Sequence, residues 1–298
     1  MRQIFFLIFF SQMITLSVHA RIVEFKNSTS AIYGKDDRAF VAESSSQIIK
    51  NLSNSIAMVT SVENIQMSEF SSTLLGNILT DKDGANICES ELFGNHKGIK
   101  SCTGFLIAED LLATAGHCVI DEEDCRNKVI AFNILATQEN DLGFEIKNED
   151  IYNCKEIISR KKDVEKLIDY TIIRLDRKVS GRIPLKLSQK NKVKSSDSLF
   201  MIGHPLGLPL IKTTNSFIVE NNHPHVFKST IDSFFGNSGS PVFNSKTQEV
   251  EGMLISGQDD FVEDPTFSCN QYKQYDENSR VGFSLNGETI LRIRELIF

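Results

Sequence analysis

Gly236-Asn237-Ser238-Gly239-Ser240-Pro241 is the stretch from which the fold and the chemistry of this chain can be inferred. A nucleophilic serine needs its own backbone N–H and one from a preceding residue to point into the same small space, where they stabilise a developing oxyanion. A glycine two positions earlier permits that turn, because it has no Cβ. Ser238 is therefore a candidate nucleophile, with the N–H groups of Gly236 and Ser238 as candidate oxyanion donors. An ordinary Gly/Ser turn is the alternative.

A second motif, Thr114-Ala115-Gly116-His117-Cys118, follows the apolar run Leu111–Ala113. A general base must be rigid and pre-oriented, and a cysteine beside it can tether it covalently. Cys102 lies on the preceding predicted strand, and a disulfide closing this loop would stabilise the fold by roughly 3 kcal/mol. The motif predicts His117 as the base and a Cys102–Cys118 disulfide. A structural histidine is the alternative.

The third motif begins at Asp169, which heads the apolar strand pattern of Tyr170–Leu175. A buried carboxylate at that place would orient an imidazole and stabilise its cationic form. An aspartate that only caps a strand is the alternative. The three motifs occur in the order His, Asp, Ser, and chance does not often supply all three contexts in one chain.

From Asn54 to Ile297 the chain resembles the trypsin/chymotrypsin-like serine peptidases, and the segment Ser101–Ile107 resembles the family strand that precedes the histidine. The resemblance implies an all-β fold of two antiparallel six-stranded β-barrels, with the site in the cleft between them. His117 and Asp169 would come from the first barrel and Ser238 from the second.

Two details resemble the bacterial glutamyl-endopeptidase branch more than the animal digestive branch: Asn237 before the serine, and the early segment Ile32–Arg38. Trypsin-like zymogens are activated when a new N-terminus pairs with an aspartate immediately before the nucleophile. Asn237 is neutral, so that switch is excluded here.

The resemblance also gives expectations about substrate choice. Asp232 lies six positions before Ser238, where trypsin-like enzymes carry the acid of the specificity pocket, and Ser233 fits such a pocket. An acid there would pair with a substrate Lys or Arg, although a turn-capping aspartate is the alternative. Ile255-Ser256-Gly257 would be the edge that pairs with substrate backbone. Leu254 stands where the glutamyl branch carries a pocket histidine, which argues against glutamyl specificity.

Short apolar runs separated by polar turns predict many antiparallel strands closed into barrels. The pattern indicates a peptidase domain at 51–298, with the first barrel at about 51–180 and the second at about 181–298. The spacing of apolar residues in Thr289–Ile297 predicts a C-terminal helix. The polar segment Asn64–Lys100 is interpreted as an elaborated loop. The predicted strands are Ser55–Val59, Thr103–Ile107, Leu111–Ala113, Lys128–Leu135, Thr171–Leu175, Ser198–Ile202, Val226–Ile231, Pro241–Phe243, Val250–Ile255 and Val281–Ser284.

The N-terminus has the pattern of a secretory signal. Arg2 supplies the positive charge, Ile4–Val18 is mostly apolar, and Val18-His19-Ala20 supplies a cleavage site. The apolar stretch is shorter than the ~20 residues of a membrane span, which is the alternative. We expect a signal peptide at 1–20, an extracellular or periplasmic product without stable membrane insertion, and a pro-segment or arm at 21–50.

An even number of cysteines behind an export signal indicates disulfides. Besides Cys102–Cys118, Cys125 can pair with Cys154, and elimination leaves Cys88 with Cys269, although sequence alone does not choose among the pairings. The CxxC spacings of zinc modules are missing, so we expect no metal. His223-Pro224-His225 lacks a third ligand nearby, and a solvated turn is the simpler interpretation.

The formal net charge of −7 argues against a nucleic-acid partner, because phosphate binding needs a basic face. The hypothesis is a secreted, monomeric serine endopeptidase that acts on proteins or peptides through an acyl-enzyme on Ser238 and needs no cofactor. Cleavage after Lys or Arg is the accompanying hypothesis for specificity. The alternative is a non-catalytic homologue that serves as a protein-binding module.

Overall fold

Short strands follow one another along almost all of the chain that the structure describes. The computed structural model describes residues 32–189, 192–275, 280–281, 284–285 and 287–296. The expected signal peptide at 1–20 lies outside these residues, as do residues 21–31 of the expected arm.

The N-terminal arm contains β1 (Ile32–Tyr33), β2 (Ala39–Phe40) and α1 (Gln47–Ser53). The first half continues with β3 (Ile56–Ser61), β4 (Ile65–Gln66), β5 (Ser71–Leu75), β6 (Asn77–Ile78), β7 (Lys97–Gly98), β8 (Ser101–Leu106), β9 (Leu111–Thr114), α2 (Glu122–Arg126), β10 (Lys128–Phe132), β11 (Glu139–Asn140), β12 (Gly143–Lys147), β13 (Ile151–Asp163) and β14 (Ile168–Leu175). The second half has β15 (Ser198–Gly203), β16 (Ile211–Glu220), β17 (Val226–Ser229), β18 (Pro241–Asn244), β19 (Val250–Ser256), β20 (Phe261–Asp264), β21 (Cys269–Tyr272), β22 (Gln274–Tyr275), β23 (Arg280–Val281), β24 (Ser284–Leu285) and β25 (Glu288–Arg292).

The first half forms a closed six-stranded antiparallel barrel. Its strand order is β10-β13-β14-β9-β8-β3, and β3 pairs back onto β10. Ile56, Ala57 and Met58 of β3 are fully buried, as are Phe105 of β8 and Phe132 of β10. Apolar residues on strands that have other strands on both sides bury their side chains in the barrel, which is why these runs are strands.

The second half forms the other barrel, with strand order β15-β18-β19-β25-β17-β16 and closure between β15 and β16. The arm lies against this barrel, since β2 pairs with β16 and β1 pairs in parallel with β22. The expectation of two antiparallel six-stranded barrels is confirmed.

One apolar cluster joins the two barrels. It contains Phe105 and Ile172 of the first barrel together with Phe200, Phe243 and Leu291 of the second. The chain has no Trp and 21 Phe, and phenylalanines fill the large core positions. The shared cluster fixes the two barrels against each other and so fixes the residues that face across the cleft.

The expectation of a C-terminal helix at Thr289–Ile297 is wrong. Glu288–Arg292 is strand β25, and only Ile293–Leu296 forms a single 3₁₀ turn. Leu291 is paired with Val226 on one side and Met253 on the other. Two neighbouring strands satisfy the backbone here, and this tertiary pairing overrides the helical spacing of the apolar residues.

The segment Asn64–Lys100 has more structure than a loop. It contains β4 to β7, and β4 and β5 join β11 and β12 in a four-stranded sheet. The predicted strand Val281–Ser284 lies only partly within the described residues.

Three disulfides link the cysteines in the pairings considered from the sequence. Cys102–Cys118 ties β8 to the turn after β9, Cys125–Cys154 ties α2 to β13, and Cys88–Cys269 ties the segment before β7 to β21. In the described part of the chain, no helix combines the length and the apolar character that a membrane crossing requires.

Candidate active site

The imidazole of His117 is held by Asp169. His117 lies in the turn after β9, and its Nδ1 is 2.6 Å from Oδ2 of Asp169 on β14. An ionised carboxylate can only accept a hydrogen bond, so Nδ1 carries the proton and donates it. Nε2 is then left without a proton and is able to accept one, as a general base requires.

Gly116 makes the contact between these two residues possible. A Cβ at position 116 would lie 2.5 Å from Oδ1 of Asp169, which is closer than real atoms approach. The same oxygen, Oδ1, is buried and has no hydrogen-bond partner among the described residues. The carboxylate is therefore held by the imidazole at one oxygen and by packing against the Gly116 backbone at the other.

Ser238 lies on a tight loop between β17 and β18. The two glycines near it, Gly236 and Gly239, have φ of 93° and 90°, a left-handed conformation that a residue with a Cβ adopts only with strain. A Cβ on Gly236 would collide with the carbonyl of His204, and one on Gly239 would collide with the carbonyl of Thr103. The Gly-x-Ser-Gly spacing is thus required by the shape of the loop.

Thr103 of β8 connects the serine loop to the first barrel. Its N–H donates to the Ser238 carbonyl at 2.9 Å, and its hydroxyl donates to the Gly236 carbonyl at 2.9 Å. On the other side, Gly239 N–H donates to the Leu254 carbonyl of β19 at 2.7 Å. The loop is fixed to both barrels.

The Cys102–Cys118 disulfide brings the histidine turn to the same place. Cys118, which follows His117, has its Sγ 3.8 Å from the carbonyl oxygen of Ser238. Cys102 precedes Thr103, the residue that holds the serine loop. The turn of His117 and the loop of Ser238 are therefore anchored at one point on β8.

Two backbone donors in the serine loop are not used. Within the described residues, neither Gly236 N–H nor Ser238 N–H donates a hydrogen bond. Unpaired N–H groups are the donors that an oxyanion site needs. The Ser238 hydroxyl likewise has no hydrogen-bond partner within the described residues. In enzymes without substrate, the hydrogen bond between the nucleophile and its base is often long and tightens only when substrate binds.

Asn237 is almost completely buried and its side chain has only neutral neighbours. Its Oδ1 accepts from the Ser240 hydroxyl at 3.3 Å, and its Nδ2 is 3.5 Å from the Ser233 hydroxyl. These two contacts hold the Asn237 side chain within its own loop.

The trypsin-like peptidase domain family matches residues 102–253, just over half of the chain. The chain belongs to this family. No curated protein sequence matches it.

Solved structures similar to this trypsin-like domain include a Glu endopeptidase in complex with MPD, at 16% identity over 80% of this chain and 91% of that one, with a TM-score of 0.49. The Rv3671c protease from M. tuberculosis is similar in two inactive forms. One is 13% identical over 84% of this chain and 89% of that one, with a TM-score of 0.45. The other, a Ser343Ala mutant in its own numbering, is 12% identical over 89% and 92%, with a TM-score of 0.47.

A cavity of about 470 Å³ opens beside Ser238 in the trypsin-like domain. Of the residues expected to bind substrate, Ser233, Ser256 and Gly257 line it, together with Leu254. The side chain of Ile255 is buried in the cluster that joins the barrels, so only its backbone is available to a substrate. The described lining contains no histidine.

Asp232, the expected pocket acid, is not among the described residues that line this cavity. Its side chain is buried, and Oδ1 accepts a 2.7 Å hydrogen bond from the backbone N–H of Tyr33. The donor belongs to the N-terminal arm, far away in sequence, so position relative to Ser238 could not reveal this partner. Asp232 fastens the arm to the second barrel.

Asp232 should make the stability of the protein depend on pH. Burial raises its pKa to about 8, whereas an unfolded aspartate titrates near pH ~3.9. Between these values the folded state holds a proton that the unfolded state has lost, so the free energy of unfolding falls as pH rises. Asp232→Asn keeps the acceptor for Tyr33 and should flatten this decline by up to ~1.4 kcal/mol per pH unit.

Urea unfolding between pH 5 and pH 8 measures the effect, with the disulfides intact. Asp141→Asn, at an exposed acid, is the matched control and should follow the wild-type decline. An equal slope for Asp232→Asn and wild type would contradict the raised pKa.

Other histidines have structural partners. His204 is fully buried, its Nδ1 is 2.9 Å from the Leu208 carbonyl, and burial lowers its pKa to about 4. A neutral, fully buried ring with a backbone partner has a structural role. His225, of the H-x-H pair, has Nδ1 3.0 Å from Glu295.

Three residues near the cavity were not predicted from the sequence: Tyr33, Asp260 and Glu288. Asp260 and Glu288 line the cavity, and the hydroxyl of Tyr33 donates to Glu288 Oε1 at 3.0 Å. The resemblance of Ile32–Arg38 to an early segment of bacterial peptidases was the one available signal for Tyr33.

Proposed function

We propose that this trypsin-like domain is a secreted serine endopeptidase in which Ser238, His117 and Asp169 form the catalytic triad. The observation that carries the proposal is the 2.6 Å contact between His117 and Asp169, made in a turn that is anchored on β8 beside the Ser238 loop. A general base paired with a carboxylate, next to the loop of a candidate nucleophile, is the arrangement that acyl transfer needs.

In the proposed mechanism, Ser238 Oγ attacks the carbonyl carbon of the scissile peptide bond. His117 Nε2 takes the hydroxyl proton and then gives it to the leaving amine. Asp169 keeps Nδ1 protonated, which fixes the tautomer, and stabilises the imidazolium that forms. Water then attacks the acyl-enzyme by the same route, with His117 again acting as the base.

The unpaired N–H groups of Gly236 and Ser238 are proposed as the oxyanion donors. They have no partner within the described chain, so a substrate oxygen would not displace an existing hydrogen bond. Hydrogen bonds to Thr103 and Leu254 keep the loop in place before the reaction, which avoids a cost of reorganisation in the transition state. No step needs a cofactor.

Secretion is proposed because three disulfides persist best in an oxidising compartment and because the N-terminal sequence has the features of an export signal. The proposed substrates are proteins or peptides, and the proposed active form is a monomer. The proposed site of action is extracellular or periplasmic.

Labelling with a fluorophosphonate tests the proposal. The reagent should add to Ser238 of the secreted wild-type protein, and mass spectrometry of the digested protein locates the adduct. Ser238→Ala should take up no label, whereas Ser256→Ala, with a serine removed from the same cavity, should be labelled like wild type.

The competing function is a protein-binding module without catalysis. A folded wild-type protein that takes up no label and cleaves no peptide would favour that function. Label on a serine other than Ser238 would contradict the assignment of the nucleophile.

A further inference from the structure

The cavity beside Ser238 is strongly acidic. Five carboxyl residues line it, with a single lysine, Lys82, as the only basic residue of the described lining. The acids are Asp81, Asp83, Asp259, Asp260 and Glu288. Such an excess of one sign favours a ligand of the opposite charge in a concave site.

Glu288 differs from the other acids because it is buried. Only 1% of its surface is exposed. Its Oε1 accepts from the Tyr33 hydroxyl at 3.0 Å and from the Gln258 N–H at 3.4 Å. Its Oε2 has no hydrogen-bond partner in the described part of the chain, although the residue lines the cavity. One oxygen is therefore held in place and the other is available to a ligand.

Gly257 gives access to that oxygen. A Cβ at position 257 would collide with Oε2 of Glu288, so the missing side chain leaves the carboxylate open to the cavity. Gly257 also belongs to the edge expected to pair with substrate backbone. A side chain projecting from a substrate on that edge would enter the cavity towards Glu288.

The surroundings of Glu288 disfavour the charged form of its carboxyl group. Burial raises its pKa well above the usual range, and the nearby Asp260 carboxylate raises it further. Asp260 is itself affected, since burial raises its pKa to about 7. A buried carboxylate is costly unless a cation pairs with it, and no basic residue of the described chain lies within ion-pairing distance of Glu288.

We propose, on the basis of the proposed endopeptidase function, that this cavity binds the cationic side chain of a Lys or Arg that precedes the scissile bond, with Glu288 as its charge partner. Asp260 adds negative charge beside it. Tyr33 is a positioning residue, because its hydroxyl fixes Oε1 and so orients Oε2 into the cavity. An acidic substrate side chain would be repelled, and an apolar one would leave the carboxylate desolvated without a partner.

Peptides that differ only in the residue before the scissile bond test this assignment. Wild type should hydrolyse Arg and Lys peptides with a higher kcat/KM than Leu or Glu peptides. Glu288→Gln keeps an acceptor for Tyr33 but removes the charge. It should lower the Arg-to-Leu ratio of kcat/KM by roughly 30-fold or more, as loss of a buried charge partner does. Fluorophosphonate labelling at Ser238 establishes that this variant has folded with a reactive serine.

Asp260→Asn is the second variant, used if Glu288→Gln does not fold, and should lower the same ratio by a smaller factor. Asp141→Asn, an exposed acid outside the cavity, is the matched control and should leave the ratio unchanged. An active wild type that is indifferent to charge, or variants of both cavity acids with the wild-type ratio, would overturn the assignment.

Binding of n-butylguanidinium to the Ser238→Ala protein separates this inference from the proposed function. Calorimetry should detect binding that weakens roughly 30-fold or more when Glu288→Gln is added. Binding without any hydrolysis by wild type would contradict the endopeptidase and leave the cation site standing. Hydrolysis without this binding would contradict the cation site alone.

Discussion

Replacement of Ser238 by alanine is expected to lower kcat for peptide hydrolysis by roughly 10⁶-fold, the loss seen when a triad serine is removed elsewhere. The hydroxyl makes no hydrogen bond within the described chain, so its removal leaves no buried polar group unpaired. The loop itself is held by backbone contacts to Thr103 and Leu254. The thermal unfolding midpoint should therefore stay at the wild-type value while activity is lost.

A continuous assay with an internally quenched Arg peptide measures kcat, and calorimetry measures the midpoint. Ser256→Ala serves as the matched control, because Ser256 lines the same cavity but is exposed and distant from the oxyanion donors in sequence. It should keep kcat within about tenfold of wild type. Substantial residual activity in Ser238→Ala, above a hundredth of wild type, would contradict the proposed nucleophile.

Replacement of Asp169 by asparagine should lower kcat by roughly 10⁴-fold, as in other triads. The amide Nδ2 is a donor, and if it faces His117 Nδ1 it favours the tautomer with the proton on Nε2. That tautomer cannot accept the serine proton. The size of the side chain is unchanged, so Gly116 still fits beside it and the fold should be retained.

The kinetic measurement is kcat for the same peptide, together with the rate of fluorophosphonate labelling, which should fall in parallel. Asp163→Asn changes an acid in the strand paired with the Asp169 strand and should have wild-type kcat. A kcat within tenfold of wild type for Asp169→Asn would show that the 2.6 Å contact does not set the tautomer of His117.

The three motifs could be recognised in the sequence because each has local steric requirements. Gly116 and Gly236 stand where a Cβ would collide with the Asp169 carboxylate or the His204 carbonyl. Such requirements restrict residue type at fixed offsets from His117 and Ser238. The barrels were predictable for a similar reason. Strands such as Ile56–Ser61 are buried, so their residues are mostly apolar and stand out from the polar turns.

Two long strands, β13 and β16, were not predicted, because they contain no long continuous apolar run. Most of β13 after Cys154 is exposed, and it carries Arg160, Lys161 and Lys162. Its hydrogen bonds to β14 make it a strand, although its composition resembles a loop. β16 is rich in Thr, Asn and Ser and is likewise defined by pairing. Pairing partners depend on the fold, and composition does not reveal them.

Sequence position favours Asp232 as a pocket acid, whereas the proposal gives that role to Glu288. Asp232 and Glu288 are both buried acids on the second barrel, and distance from Ser238 in sequence favours Asp232. Contacts with Tyr33 distinguish the two acids, because its N–H occupies Asp232 while its hydroxyl leaves one oxygen of Glu288 exposed to the cavity. Family spacing contains no information about a partner on the arm.

The contact between Tyr33 and Glu288 joins residues 255 positions apart. While the polypeptide is being synthesised, the first barrel can close before the strand that carries Glu288 has emerged. A nascent molecule then has the His117–Asp169 pair but no finished second barrel to hold a substrate. The proposed hydrolysis would therefore begin only once Tyr33 and Glu288 have met.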